Sequence, residues 1–168
     1  MKKEHTVRII ESEILISTPA AVVWEHITNV QLEQFADPLV FRLLDVPKPL
    51  RAELLSEGAG GSRTAYFANG KKFEQRILVW QPCTHYSFAF HPEPGFRVGY
   101  IFELSAGIFR MLAGSYYLRE NQQGTWLKLE TTYSVQRRLS WLLLGPITLV
   151  LYLFQRYLLT SIKRNAEQ

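Results

Sequence analysis

Strict alternation opens the chain. Between Val7 and Ser17, Ile10, Ile14 and Ile16 fall on one side with Glu11 and Glu13 interleaved on the other, the period-two signature of a strand. Thr18-Pro19 reads as a cap followed by a first-turn proline, and the period then changes. Val23, Ile27 and Val30 share one face of a helix expected from Pro19 to about Val30, with Trp24 beside them. Leu32 to Phe35 reads as a short second helix ended at Asp37-Pro38, because the residue before a proline is biased away from helical geometry. Residues 36–49 make an apolar connection stiffened by Pro38, Pro47 and Pro49, a candidate lid over a cavity.

From Leu50 the alternation returns and persists to Tyr133. Leu50–Ser56 and Ser62–Phe67 are followed by Asn69-Gly70, a tight hairpin signal. Phe73, Ile77 and Val79 alternate with Lys72, Glu74 and Arg76; Tyr86, Phe88 and Phe90 with His85, Ser87 and His91; Val98, Tyr100 and Phe102 with Arg97, Gly99 and Glu103. Leu112, Gly114, Tyr116 and Leu118 are set on one side of the next strand, with Met111, Ala113 and Ser115 on the other. Leu127, Leu129, Thr131 and Tyr133 make the inner side of the last. Strands joined by short turns predict an antiparallel meander with one apolar and one largely polar face.

A long helix follows, expected to begin with Pro146 in its first position and to end near Lys163-Arg164, which suit the negative end of the helix dipole. Ile147, Val150, Leu151, Phe154, Leu158 and Ile162 form its stripe; Leu149, Leu153 and Tyr157 widen it beyond what one flat surface needs. Such a helix calls for a sheet plus a partner subunit, a lipid bilayer, or a sheet plus an apolar ligand. The run Leu139 to Leu159 approaches the length of a membrane span, but Gly145-Pro146 interrupts it and Gln155-Arg156 lies inside it. A soluble protein with an apolar helix is the expectation.

Composition narrows the function classes. The chain has 168 residues, 47% hydrophobic and 20% charged, which fits one globular domain spanning 1–168. Aromatic residues at 13% suit either the wall of an apolar cavity or a bulky core. The net charge of +4 is spread over scattered pairs such as Lys71-Lys72 and Arg137-Arg138, so nucleic acid is not an expected partner. A single cysteine, Cys83, excludes an internal disulfide and a multi-cysteine metal site, and fits a cytoplasmic location. The first residues lack the uninterrupted apolar core of a signal peptide. His85 and His91 lie on one side of one strand, too far apart to share a metal, and both are expected to face solvent. No metal-ligand spacing, phosphate loop or nucleophile motif is present, and no cofactor is expected.

The order of motifs resembles a known superfamily. A first strand leads into Ser17-Thr18-Pro19-Ala20-Ala21-Val22-Val23-Trp24; Gln75 to Pro82, Tyr86 to Phe90 and Gly124 to Leu129 follow, and a terminal helix closes with Leu159 to Glu167. This pattern, over nearly the whole chain, resembles the SRPBCC superfamily, and within it the polyketide cyclase/dehydrase and lipid-transport branch, related to START domains and the birch-pollen-allergen fold. The resemblance implies an α+β helix-grip fold: a curved antiparallel sheet of about seven strands wrapped around the long C-terminal helix, with two short helices after the first strand. It also implies an apolar cavity between sheet and helix. The chain departs from the family in having Phe35 where a Trp usually follows the second helix, and in the extra segment Arg97 to Leu104, either an inserted hairpin or a broken strand.

The expected cavity wall comprises Phe73, Ile77, Phe88, Phe90, Phe102 and Leu129 on the sheet and Val150, Phe154 and Leu158 on the helix. Gln75, Tyr100, Tyr116, Thr131 and Tyr133 supply inward polar groups to orient a ligand or satisfy the core. The leading expectation is a carrier or sensor of an apolar small molecule such as a lipid, isoprenoid or polyketide-like compound. The alternatives are an aromatase/cyclase- or dehydrase-type enzyme, and a module whose segment 139–154 docks transiently on a membrane surface or forms a homodimer.

Overall fold

The computed structural model describes residues 4–99, 102–104 and 107–168. Strand β1 (His5–Ile16) leads into α1 (Ala20–Thr28), the two-residue β2 (Val30–Gln31) and α2 (Leu39–Leu43). Four strands follow, β3 (Pro49–Ser56), β4 (Ser62–Phe67), β5 (Lys72–Gln81) and β6 (His85–Pro92). A small hairpin of β7 (Arg97–Val98) and β8 (Phe102–Glu103) precedes the long strands β9 (Phe109–Asn121) and β10 (Gly124–Gln136). One turn of 3-10 helix, Arg137–Leu139, then runs into α3 (Ser140–Ala166).

Seven long strands and β2 form a single curled antiparallel sheet in the order β1-β10-β9-β6-β5-β4-β3-β2, closed around α3 as a helix-grip fold. The hairpin of β7 and β8 stands outside this sheet. The segment Arg97 to Leu104 is therefore an inserted arm. Its Gly99 amide donates to the Asp45 carbonyl (3.0 Å), which ties the arm to the loop after α2.

Three sequence expectations are corrected. The second helix lies at Leu39–Leu43, because Pro38, with its fixed φ of −58° and no amide to lose, starts a helix there instead of ending one. Residues 32–35 make a turn. The long helix begins at Ser140, so Pro146 is internal. Its missing N–H leaves the Leu142 carbonyl without an intrahelical partner, a cost of roughly 3 kcal/mol in a buried helix interior. Here Leu142, Gly145 and Pro146 are all exposed, and water can take that carbonyl.

The third correction concerns strand parity. Thr132 pairs with Ala113 but Tyr133 pairs with Met111, so Leu112 is the extra residue of a β-bulge. Below the bulge the alternation is inverted: Met111 and Phe109 turn inward and Leu112 is 37% exposed. A second bulge at Leu78 lies between the pairs Ile77–Phe88 and Val79–Ser87, and it leaves Leu78 exposed. Trp80 beyond it packs against Trp24, with ring centroids 5.1 Å apart.

Buried apolar side chains form two clusters along the grip. One, under α1, contains Val23, Ile27, Tyr86, Leu127, Leu159 and Ile162; the other, toward the opposite end, contains Phe67, Phe73, Phe96, Phe109, Tyr133 and Leu151. By length and composition α3 with the turn before it is apolar enough to cross a membrane. It is nevertheless the core helix of the grip, and Gln155 shows how it is held. The Gln155 carbonyl oxygen accepts from Ser12 (2.8 Å), and its amide donates to the Thr131 hydroxyl (2.9 Å) and the Ile10 carbonyl (3.1 Å). One polar side chain thus binds the helix to both β1 and β10.

Candidate functional site

Two chambers lie between the sheet and α3. The outer one, about 320 Å³, opens where the loop after α2, the inserted arm and α3 meet. Leu43, Leu44, Val46 and Pro47 form one side of it, Phe96, Val98 and Leu104 of the arm another, and Pro146, Ile147 and Val150 the helix side. Its wall is almost wholly apolar. The volume falls at the lower end of the range for small-molecule sites. At ~30 Å³ per water-sized group it holds roughly ten non-hydrogen atoms.

The inner chamber, about 70 Å³, is of different character. Phe88, Phe90, Leu129 and Leu158 line it together with Arg63, Gln75, Tyr116, Thr131 and Gln155. Phe67, Met111, Leu151 and Phe154 line both chambers and form the neck between them. Gly114 makes room at the inner end: a Cβ there would lie 2.7 Å from the Phe88 ring, so only glycine lets that ring lie across β9.

The expected wall residues distribute as follows. Phe73 and Val150 line the outer chamber, Phe154 both, and Gln75, Phe88, Phe90, Tyr116, Leu129, Thr131 and Leu158 the inner one. Ile77 and Tyr133 line neither. Ile77 is packed in the cluster under α1, and the Tyr133 hydroxyl is engaged with that of Thr148 (2.8 Å) while its ring packs on Phe109. Tyr100 lies outside the described residues, as does the side chain of Phe102. Of the two histidines expected in solvent, His91 is exposed, whereas His85 is half-buried and stacks on Tyr117 at 4.3 Å; burial pushes its pKa down.

Several wall residues were not evident from the sequence. The proline-rich loop carried a signal, since its apolar residues had no periodicity to place them in a core element. Met111 was concealed by the bulge. Arg63 stands among alternating residues as any surface cation would, and only the closure of the sheet buries it.

The electrostatics of the inner chamber centre on Arg63 and Tyr116. The guanidinium lies 4.9 Å from the Phe88 ring centre and 5.2 Å from that of Tyr86; its Nε donates to the Gln75 side-chain oxygen (2.7 Å) and another N–H to the Ile27 carbonyl. Burial pushes the Tyr116 hydroxyl up to about 12, with Arg63 beside it acting in the opposite direction. A folded-state pKa above the unfolded value near 10 contributes stability that is complete below pH 10 and is lost as pH rises toward 12. Titration of tyrosinate absorbance should therefore show a late step near pH 12 that Tyr116→Phe removes. Persistence of that step in Tyr116→Phe, or unchanged parent stability between pH 10 and 12, would contradict the assignment.

Neither a family model nor a curated protein matches the chain in sequence. Solved structures do match. Protein CV1439 from Chromobacterium violaceum aligns with a TM-score of 0.59 at 16% identity, covering 95% of this chain and 98% of that one. Ara h 8.0201 aligns with a TM-score of 0.60 at 14% identity over 96% and 98%. Norcoclaurine synthase from Thalictrum flavum, solved in complex with dopamine and hydroxybenzaldehyde, aligns at 0.53 and 14% identity over 95% and 86%. At these identities the likeness concerns the fold alone, a curled antiparallel sheet closed on a long C-terminal helix.

Proposed function

We propose that this chain is a non-catalytic carrier or sensor that binds an apolar small molecule, of lipid, isoprenoid or polyketide-like character, between its sheet and α3. The observation that carries the reading is the outer chamber of about 320 Å³, open to solvent at one end and almost without polar wall. Filling it with roughly ten apolar atoms at ~0.8 kcal/mol each yields about 8 kcal/mol of gross transfer energy, before the costs of association. The solved complex of the synthase with two aromatic molecules is compatible with ligand entry into this fold. A cyclase- or dehydrase-type reaction has less support, because the Tyr133 hydroxyl is engaged with Thr148 and Tyr116 holds its proton far above neutral pH.

Native mass spectrometry of the purified protein, followed by organic extraction, tests the reading. A retained apolar compound is the expected result. A protein that emerges empty and takes up no apolar fluorescent probe overturns it.

Exposed apolar residues on α2 and in the first turn of α3 favour a second property, contact with a lipid surface. Trp141 is 82% exposed, Leu43 66% and Leu39 64%. Leu142, also exposed, stands one turn before Pro146 on the same face of α3, and Pro146 shares the mouth with Leu43 and Leu44. Arg42, Arg137 and Arg138 flank these residues in sequence and suit an anionic headgroup layer. This contact would let a cytoplasmic carrier load at the bilayer. In sedimentation with phosphatidylserine-containing vesicles, Trp141→Ser/Leu142→Ser should reduce the bound fraction several-fold. Equal sedimentation of the variant and the parent would exclude this surface, and a concentration-dependent dimer lost in the variant would assign it to self-association.

A further inference from the structure

Arg63 has no counter-charge. It is 3% exposed, and the only other buried cation among the described residues, Lys48, lies 3.4 Å from the Asp37 carboxylate. Every Asp and Glu of the chain is among the described residues, and none makes an ion pair with Arg63. Guanidinium keeps its charge at any accessible pH, and leaving a buried ion uncompensated costs several kcal/mol.

Its protein contacts explain its position but not its charge. The bonds to Gln75 and to the Ile27 carbonyl, in the last turn of α1, use two of five N–H donors, and a neutral amide could make them. The helix end and the two aromatic faces supply partial negative charge only. The group lines the inner chamber, with the Tyr116 hydroxyl beside it. That chamber adjoins the apolar one at Phe67, Met111, Leu151 and Phe154, which line both. At ~30 Å³ per water-sized group the inner space holds roughly two such groups, which fits the two oxygens of a carboxylate and is small for a phosphate ester.

We propose that the ligand is an amphiphilic carboxylic acid, its carboxylate paired with Arg63 in the inner chamber and its apolar chain lying through the neck into the outer one. The inference rests on the carrier reading and specifies the ligand class. A planar guanidinium binds carboxylate through parallel charge-assisted bonds, and a desolvated setting strengthens them.

The test is the affinity of decanoic acid against that of 1-decanol, each titrated below its aggregation limit at neutral pH into the parent protein and into Arg63→Met. The acid should bind the parent at least about tenfold more tightly than the alcohol, as one charge-assisted pair requires. Arg63→Met should bring the two affinities together, chiefly by weakening that for the acid. Equal affinities in the parent, or a preference for the acid that survives in Arg63→Met, overturn the assignment and leave the carrier reading intact. Binding of neither compound overturns both. If Arg63→Met does not fold, the parent alone decides: its preference for the acid must disappear as the pH is lowered through the carboxyl pKa, and a preference that persists there overturns the assignment.

Discussion

Gln155→Leu is expected to lower the free energy of unfolding by about 3 kcal/mol, the sum of leaving two or three buried polar groups without a partner. The Ser12 hydroxyl, the Thr131 hydroxyl and the Ile10 carbonyl all meet this one side chain, which is 1% exposed. Ser12 and Ile10 lie on β1, opposite Leu129 and Thr131 of β10, so the amide spans three successive rungs of the ladder. Leucine would fill the space but satisfy none of these groups. Urea denaturation measures the change, and a triple variant with Ser12→Ala and Thr131→Val should recover most of the loss, because removing all partners together leaves fewer groups unpaired. A neutral Gln155→Leu would show that packing alone holds α3 in the grip.

Met111→Trp is expected to reduce binding of an apolar fluorescent probe at least about tenfold, at a stability cost of roughly 1–3 kcal/mol for overpacking. Met111 lines both chambers, so a larger rigid ring there closes the neck and shortens the space open to a ligand. Leu112→Trp is the control. One residue away, on the opposite face because of the bulge, it should leave probe binding unchanged. Reduced binding in Leu112→Trp together with normal binding in Met111→Trp would mean that the strand runs in unbroken alternation. Equal, undiminished binding in both would place the ligand elsewhere.

The same pair of residues shows where sequence reading reached its limit. Alternation assigns Leu112 inward and Met111 outward, and Gly114, Tyr116 and Leu118 beyond them agree with it. A bulge is one unpaired residue, and it depends on the partner strand, which a period-two count does not contain. The proline at position 146 was ambiguous for a related reason. A local rule makes it a helix start, but the preceding turns gain enough from continuing the rod that one missing hydrogen bond at an exposed face is tolerated.

What the sequence determined by itself was the order and type of the main elements. Periods of two and of three to four residues, the Asn69-Gly70 turn, and a helix stripe too wide for one surface are local or short-range properties, and they sufficed for a curved sheet closed on a C-terminal helix. They also placed most of the aromatic wall, because a residue on the inner face of such a sheet has few other places to be. The tertiary structure alone decided which inward residues meet empty space and which meet neighbours. Ile77 and Phe88 are cross-strand partners of similar pattern, yet one is packed under α1 and the other lines the inner chamber. It also decided the state of Arg63, since charge is written in the sequence but desolvation is not: a cation on a strand becomes an uncompensated buried ion only when α1, the sheet and α3 close around it from three separate parts of the chain.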